Sequence, residues 1–286
     1  MGFLLGRGAT DPFCSGMRFA VLGSGSGGNA TVIDAGGVRV LVDAGLSAKQ
    51  ITLRLAAMGI PPESLDAVLL THEHGDHIRG LRVLMKSLKR PIYATPATSH
   101  VVREGLGPVS WKVFESGGRF EIGALEIESF AVPHDAVEPV GFLFRAAGRS
   151  FGLVSDSGHV TPLMRERLRG VEALFIEANY DDELLEADLK RPWSTKQRIS
   201  SRHGHLSNRQ TAELVRELAA EGLQRAVLGH LSRDCNAPAR ALEMVGACGI
   251  SVCCAGQDEP SGWHEEKPPC SIDFAADELF GSSVQG

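Results

Sequence analysis

Residues 71–77 read Thr71-His72-Glu73-His74-Gly75-Asp76-His77, which places three imidazoles and a carboxylate in the pattern H-x-H-x-D-H. The apolar run at residues 67–70 predicts a buried strand just before them. Side chains two apart in an extended segment point the same way, so His72 and His74 face one point while Asp76 and His77 face a second. Imidazole and carboxylate without cysteine are typical of zinc, manganese or iron rather than of a closed thiolate site. The loop therefore predicts metal binding, the alternative being a His-rich surface loop.

Three further residues suited to a metal each follow a predicted strand. His134 comes after an alternating strand at residues 125–132, Asp156 after residues 150–154, and His230 after residues 226–228. Taken singly, each is an ordinary loop or turn residue. Their order after an H-x-H-x-D-H motif indicates a shared site.

Together these motifs resemble the metallo-β-lactamase superfamily of binuclear metallohydrolases, from about residue 17 onward. The resemblance also includes Asp43 in Leu41-Val42-Asp43-Ala44-Gly45. It implies an α/β (α+β) fold, a four-layer αββα sandwich, with two divalent metal ions, zinc or manganese. It assigns one ion to His72, His74 and His134, the other to Asp76, His77 and His230, with Asp156 bridging both. Asp43 is expected to support the histidine loop.

Glu177 and His205 resemble the Glu/His pair that phosphodiesterase members of the superfamily carry beside their metals. On that basis His205 is expected to contact the phosphate or to protonate the leaving group, and Glu177 to orient its imidazole. His203 is the rival for this role. Asp76 is counted with Glu177 and His205 as catalytic because it holds metal at the reacting centre.

Several motifs, including Gly204-His205-Leu206-Ser207-Asn208, resemble the bacterial WalJ/YycJ-type subgroup, which is associated with DNA 5′ to 3′ exonuclease activity. The expected reaction is phosphodiester hydrolysis by a metal-bridging hydroxide. Cys235-Asn236 departs from the subgroup, where two small polar residues are usual. Three alternatives remain open: a small-molecule hydrolase of the same fold (a lactonase or glyoxalase-like thioesterase), an RNA-processing phosphodiesterase, and a non-catalytic metal-binding module.

The charge pattern permits a nucleic-acid partner only through local clusters, because the net charge is −6. Residues 190–202 contain cations and an aromatic side chain but no acid, and the candidates for contacting nucleic acid are Lys190, Arg191, Trp193, Lys196, Arg198 and Arg202. Basic residues at 79–90 would extend this patch. The alternative is a solvated basic face. The glycine-rich residues 23–30, with Ser24, Ser26 and Asn29, could present N–H groups to a phosphate or could form a flexible turn.

Composition and local patterns divide the chain into one catalytic domain at residues 17–256, an N-terminal extension at 1–16 and a tail at 257–286, both expected to be disordered. Helices are predicted at residues 48–58, 76–88 and 207–219, the last opened by a Ser207 cap with Gln210 three residues later. No apolar run approaches the roughly 20 residues of a membrane helix. Six cysteines without disulfide spacing and a poor signal sequence predict a cytoplasmic protein. The oligomeric state is left open.

Overall fold

Residues 16–265, the part of the chain that the computed structural model describes, form two seven-stranded sheets, nine α-helices and one short 3-10 helix (Pro62–Ser64). The strands are β1 (Met17–Gly23), β2 (Ala30–Ala35), β3 (Val38–Val42), β4 (Ala67–Leu69), β5 (Ile92–Ala94), β6 (Trp111–Val113), β7 (Arg119–Ile122), β8 (Leu125–Ala131), β9 (Val140–Ala146), β10 (Arg149–Val154), β11 (Ala173–Glu177), β12 (Arg225–Gly229), β13 (Ser251–Cys254) and β14 (His264–Glu265). The helices are α1 (Ala48–Ala57), α2 (Gly75–Ile78), α3 (Leu81–Leu88), α4 (Pro96–Arg103), α5 (Pro162–Leu168), α6 (Asp182–Ala187), α7 (Trp193–Ile199), α8 (Asn208–Ala220) and α9 (Pro238–Val245). The first sheet has the order β14-β1-β2-β3-β4-β5-β6 and the second β13-β12-β11-β10-β9-β8-β7.

Alternating side chains divide the interior into three apolar layers. In β1, Phe19 and Val21 point into the core between the sheets, whereas Ala20 and Leu22 point to the core that α1, α3 and α4 cover. In β11, Phe175 joins the inner core, and its neighbours join the core beneath α5, α8 and α9. Burying a large apolar side chain contributes about 1.5–3 kcal/mol, so these layers hold the sheets and helices together. The predicted four-layer αββα sandwich is confirmed.

The candidate ligands lie at one edge of the sandwich because of strand direction. β3 and β4 run parallel in the first sheet, as do β10, β11 and β12 in the second. The carboxyl ends of parallel neighbours meet at the same edge of a sheet. Loops that follow these strands are therefore brought together although they are far apart in sequence.

The prediction of one helix over residues 76–88 is wrong, because the helix is interrupted between α2 and α3. A Cβ atom at Gly80 would overlap the carbonyl oxygen of Leu46, and Gly80 N donates to Ala44 O at 2.8 Å. The backbone of this turn packs directly against the loop after β3, which a continuous helix would not allow. The helices predicted at residues 48–58 and 207–219 are found, the latter with the Ser207–Gln210 capping box.

The domain boundary predicted at residue 256 is corrected by the course of the following residues. The segment at 257–265 runs antiparallel along β1, and its last two residues, His264–Glu265, pair with β1 as the outermost strand of the first sheet. Trp263 packs against the outer core of that sheet and donates from Nε1 to Met58 O at 3.3 Å. The remainder of the predicted tail, residues 266–286, and residues 1–15 of the predicted extension lie outside the described residues. Within residues 16–265, no helix has the length and apolar character needed to cross a membrane.

Candidate metal centre

The seven predicted metal ligands converge in two adjacent groups. The first cluster consists of His72, His74, His134 and Asp156, and the second cluster of Asp76, His77, Asp156 and His230. Within each cluster the candidate ligand atoms all lie within 4.8 Å of one another. Asp156 belongs to both, as the family resemblance implies for a bridging carboxylate.

Asp43 forms hydrogen bonds to the loop that carries four of these predicted ligands. Its carboxylate accepts from Thr71 N at 2.9 Å, from Thr71 Oγ1 at 2.8 Å and from His77 Nδ1 at 2.8 Å. Asp43 has a φ of 62° and His230 a φ of 53°, a left-handed conformation that costs free energy for a residue with a Cβ atom. Both strand ends are thus turned sharply toward the site. Asp43 thus contacts the first residue of the loop and one of its histidines; its role in supporting metal binding stays a prediction.

The five histidines present one ring nitrogen outward and the other to the centre. The outward contacts are His72 Nδ1 with Thr71 Oγ1 (3.0 Å), His74 Nε2 with Asp135 O (3.1 Å), His77 Nδ1 with Asp43 Oδ2 (2.8 Å), His134 Nδ1 with Gly204 O (2.9 Å) and His230 Nδ1 with Glu177 Oε1 (3.0 Å). Such contacts fix the tautomer and orientation of metal-binding imidazoles.

The inward nitrogens fit a cation. His74 Nδ1 and His134 Nε2 face each other at 3.3 Å. Buried ring nitrogens are normally hydrogen-bonded, yet His72 Nε2 and His230 Nε2 have no hydrogen-bond partner among residues 16–265. Nitrogen and carboxylate oxygen are donors that zinc and manganese accept. The residues present therefore suit divalent metal ions.

Charges within the clusters shift several pKa values. Burial is the main cause that lowers the pKa of His72 and of His134. Burial also opposes a proton on His77, but Asp156 and Asp43 outweigh it and raise the pKa of His77 to about 10. For Asp156, burial favours the neutral acid, yet His230 and His77 hold its pKa well below the ordinary value. The carboxylate charge that raises the pKa of His77 and of His230 is the same charge that favours a divalent cation.

Glu177 joins the second cluster to His205. Its Oε1 accepts from His205 Nδ1 at 2.6 Å and from His230 Nδ1 at 3.0 Å, while Oε2 accepts from Ser157 N at 2.9 Å and Leu206 N at 3.2 Å. Burial disfavours charge on both partners, but their mutual attraction raises the pKa of His205 and lowers that of Glu177.

His205 sits over both clusters. Its ring centroid lies 5.2 Å from those of His134 and of His230. His203, the rival in the sequence, is exposed and does not line the cleft described next. The geometry thus places the predicted Glu177–His205 pair beside the ligands.

A cleft of about 240 Å³ opens over the two clusters. Its lining residues are Ser26, His74, Asp76, His134, Asp156, Asn179, Arg191, Arg198, Ile199, His205, His230, Leu231 and Ser232. Among the predicted contacts to nucleic acid, Ser26, Arg191 and Arg198 are therefore at the site. Lys190, Trp193, Lys196 and Arg202 are not part of this lining.

Three of the five cations in the segment predicted as a free basic patch are paired with carboxylates, whereas Lys196 and Arg202 contact a carbonyl oxygen and an imidazole. Its polar contacts are Lys190 with Asp234 (2.9 Å), Arg191 with Asp188 (2.9 Å) and Asp234 (3.0 Å), Lys196 Nζ with Glu186 O (2.7 Å), Arg198 with Asp135 (2.6 Å) and Arg202 with His159 (3.2 Å). Part of the segment is α7 rather than a loop. Trp193 is 69% exposed, with no stacking partner among the described residues. Acids supplied by other parts of the chain thus offset a segment that has none of its own.

Ser24 and Asn29 are corrected as phosphate contacts because both are buried in the structure of the loop. Ser24 Oγ accepts from His230 N at 2.6 Å, and Asn29 N donates to Asp76 O at 2.8 Å. Ser26, in contrast, is exposed at the cleft. The glycine-rich loop therefore supports ligands rather than presenting these two side chains to solvent.

Sequence reasoning missed four residues that the structure places around the ligands. Thr71 and Asp135 each contact ligand histidines, Gly204 provides the carbonyl for His134, and Asn179 Nδ2 donates to His230 O at 2.8 Å. Asn179 follows the end of β11, and the predicted ligands likewise follow strand ends. Its position in the sequence could therefore have predicted that it lies at the site. A backbone carbonyl such as that of Gly204 leaves no signal in residue type.

Comparisons with known proteins identify the family of this chain. The beta-lactamase superfamily domain matches residues 38–231. Exodeoxyribonuclease WalJ of Streptococcus pneumoniae serotype 2 (strain D39 / NCTC 7466) is 39% identical over 226 residues, which cover 77% of this chain and 84% of that protein. Exodeoxyribonuclease YycJ of Bacillus anthracis is 36% identical over 224 residues, with coverage of 77% and 84%.

The architecture is shared with solved structures. The metallo-beta-lactamase fold protein YhfI from Bacillus subtilis superposes with a TM-score of 0.71 at 19% sequence identity, covering 88% of this chain and 100% of that chain. At this identity the similarity concerns the fold alone. This chain therefore belongs to the beta-lactamase superfamily, with a metallo-β-lactamase fold, and to its WalJ/YycJ-type subgroup.

Proposed function

We propose that this protein is a binuclear metal-dependent phosphodiesterase that degrades DNA as an exonuclease from the 5′ end. The observation that carries the proposal is the buried Glu177 carboxylate, which joins His205 to a ligand of the second cluster at 2.6 and 3.0 Å. Two relatives that are similar over most of their length are exodeoxyribonucleases by name, which supports DNA as the substrate.

When bound at the clusters, two divalent ions, zinc or manganese, supply an activated water and neutralise charge on the phosphate. Each cluster would hold one ion, and Asp156 would belong to both.

His205 acts on the leaving oxygen in this proposal. With Nδ1 held by Glu177, Nε2 is the nitrogen left to carry a proton into the cleft. Glu177 raises the pKa of His205, which favours the protonated imidazole that can donate as the ester bond breaks. Glu177 stabilises the charged imidazole before transfer.

In this proposal Arg191 and Arg198 contact phosphates next to the reacting one. Both line the cleft, and both are already paired with carboxylates. A phosphate that approaches Arg198 would therefore compete with Asp135 for the guanidinium.

We also propose a cytoplasmic location, which suits the free thiols of Cys235, Cys248, Cys253 and Cys254.

The test uses DNA and RNA of one sequence, labelled at either the 5′ or the 3′ end, with added Zn²⁺ or Mn²⁺. We expect mononucleotide release from the 5′ end of DNA. The variant His205→Ala should lower kcat by about 10²–10⁴-fold with metal content unchanged. His203→Ala, two residues away and exposed, is the matched control and should behave as the parent.

Other results would assign other functions. Preference for RNA would indicate an RNA-processing enzyme, and turnover of a lactone or thioester without nuclease activity would indicate a small-molecule hydrolase. A metal-loaded protein that cleaves none of these would be a binding module. Parental activity in His205→Ala would remove the role proposed for that residue.

A further inference from the structure

The glycine-rich loop at residues 23–30 contacts the second cluster from its outer side. His230 N donates to Ser24 Oγ at 2.6 Å, and Asn29 N donates to Asp76 O at 2.8 Å. Asn29 Nδ2 also lies 3.1 Å from His77 Nε2. This loop therefore touches the three ligands that the second cluster does not share with the first.

The opposite side of the loop is fastened by Gln257. Gly27 N donates to Gln257 Oε1 at 2.7 Å, and Gln257 Nε2 donates to Gly28 O at 2.8 Å. A Cβ atom at Gly25 or Gly27 would lie 2.7 Å from Gln257 Oε1, so the amide occupies space that a larger residue at either position would need. One side chain thus satisfies both a donor and an acceptor of the loop backbone.

Gln257 is itself fixed in place. Arg54 Nη1 donates to Gln257 O at 2.9 Å and to Leu22 O at 2.6 Å, and Arg54 Nη2 donates to Asp258 O at 2.8 Å. Ser24 N also donates to Gly256 O at 3.0 Å. The backbone on either side of the amide is therefore tied to the first sheet and to α1.

We propose that Gln257 is a positioning residue for the second cluster, acting through the glycine-rich loop on Asp76, His77 and His230. The first cluster has different supports among the described residues, namely Thr71, Asp135 and Gly204. Loss of the Gln257 amide should therefore weaken metal binding at the second cluster selectively. This inference rests on the proposed assignment of one ion to each cluster.

The experiment measures Zn²⁺ affinity by competition with a chelator in two backgrounds. His74→Ala leaves the second cluster complete, and His230→Ala leaves the first complete. Gln257→Met, which keeps side-chain length but lacks both hydrogen bonds, should weaken binding about tenfold in the His74→Ala background, at the low end of the range for such supporting contacts. In the His230→Ala background its effect should be absent. Gln257→Glu keeps the acceptor for Gly27 N but turns a carboxylate oxygen toward Gly28 O, so it should also weaken binding in the His74→Ala background only.

Ser261→Ala is the matched control, because Ser261 Oγ accepts from Val21 N at 3.0 Å and anchors the same segment away from the loop. Both affinities should be unchanged in that variant. Equal losses in both backgrounds, no loss in either, or an equal loss in Ser261→Ala would overturn the proposal. If circular dichroism shows that Gln257→Met does not fold, Gln257→Glu decides by the same comparison. A parent protein that binds a single ion would instead contradict the two-ion assignment, a result separate from the behaviour of the variants.

Discussion

Glu177 is surrounded by four hydrogen-bond donors, which makes Glu177→Gln a sharp perturbation despite its small size. Oε1 faces the Nδ1 atoms of His205 and His230, and Oε2 faces the backbone N–H groups of Ser157 and Leu206. A carboxylate accepts from all four, whereas an amide has one accepting oxygen and one donating nitrogen. Two donors must lose their acceptor whichever way the amide is turned.

Each orientation has a measurable consequence. If the amide nitrogen faces Ser157 and Leu206, two buried N–H groups lose their acceptor at about 1–3 kcal/mol each, so unfolding free energy should fall by about 2–6 kcal/mol. If it faces the imidazoles, His230 must take the tautomer with its proton on Nε2, the nitrogen directed at the second cluster. Metal affinity there should then fall about 10–100-fold.

The assays are urea unfolding and Zn²⁺ titration, followed by turnover of 5′-labelled DNA. Glu172→Gln is the control, since Glu172 accepts from Arg149 Nη1 and Ser150 N at 2.7 and 3.0 Å but does not line the cleft. It should lose stability and keep parental metal affinity. If Glu177→Gln matches the parent in unfolding, in metal affinity and in turnover, the reasoning about this carboxylate is refuted.

Three further predictions concern other parts of the molecule. In Gly204→Ala the new Cβ would overlap carbonyl oxygens of the preceding helix; the carbonyl that holds His134 should shift, and metal affinity at the first cluster should fall about tenfold in a chelator competition. Arg198→Gln should raise KM for DNA about threefold to tenfold and reduce the salt dependence of binding, with a smaller change in kcat, in steady-state assays over a range of salt. Burial, with a nearby arginine, lowers the pKa of His264 from 6.5 to about 4. As the pH falls, His264 is therefore protonated in the unfolded chain before it is protonated in the folded protein. The free energy of unfolding should be highest above pH 6.5 and should fall as the pH approaches 4. Urea unfolding should show a decrease of about 2 kcal/mol over that interval, after allowance for solvent screening.

Each of these three has its own control. Gly107→Ala, where a Cβ atom meets no neighbour, should leave the metals unaffected; a first cluster that binds equally well in Gly204→Ala would contradict the role of that carbonyl. For DNA binding the comparison is Lys112→Gln, which is exposed on β6 and lies outside residues 79–90 and 190–202. Equal effects of the two substitutions would indicate general charge rather than contact. His264→Phe should flatten the pH dependence while His100→Gln, exposed on α4, should not.

The ligand set was predictable because each ligand follows a strand, and parallel strands bring their carboxyl ends together. The spacing within residues 71–77 indicates metal binding by itself. His134, Asp156 and His230 are indicated as further ligands by their order after that motif. The Glu177–His205 contact at 2.6 Å likewise follows a resemblance that could be recognised from residue types. Local patterns and family motifs thus specify the fold and the residues of the centre.

The failures share a physical cause, since each depends on residues distant in sequence. The acids that neutralise residues 190–202 include Asp135 and Asp234, which approach only in the fold. Gly80 breaks a predicted helix because the loop after β3 lies against it. Residues 257–265 have the composition of a tail, yet β1 offers a free edge on which His264–Glu265 pairs.

The central claim is that the two clusters form one hydrolytic centre through Asp156, and metal content measured together with nuclease activity tests it most directly. After equilibration with Zn²⁺ or Mn²⁺ and removal of free metal, elemental analysis of the parent should give two ions per chain and DNA should be degraded from its 5′ end. The folded Asp156→Ala variant should lose metal from both clusters and lose activity with it, because its carboxylate belongs to each. Two retained ions in Asp156→Ala, or parental degradation of DNA by that variant, would contradict the account.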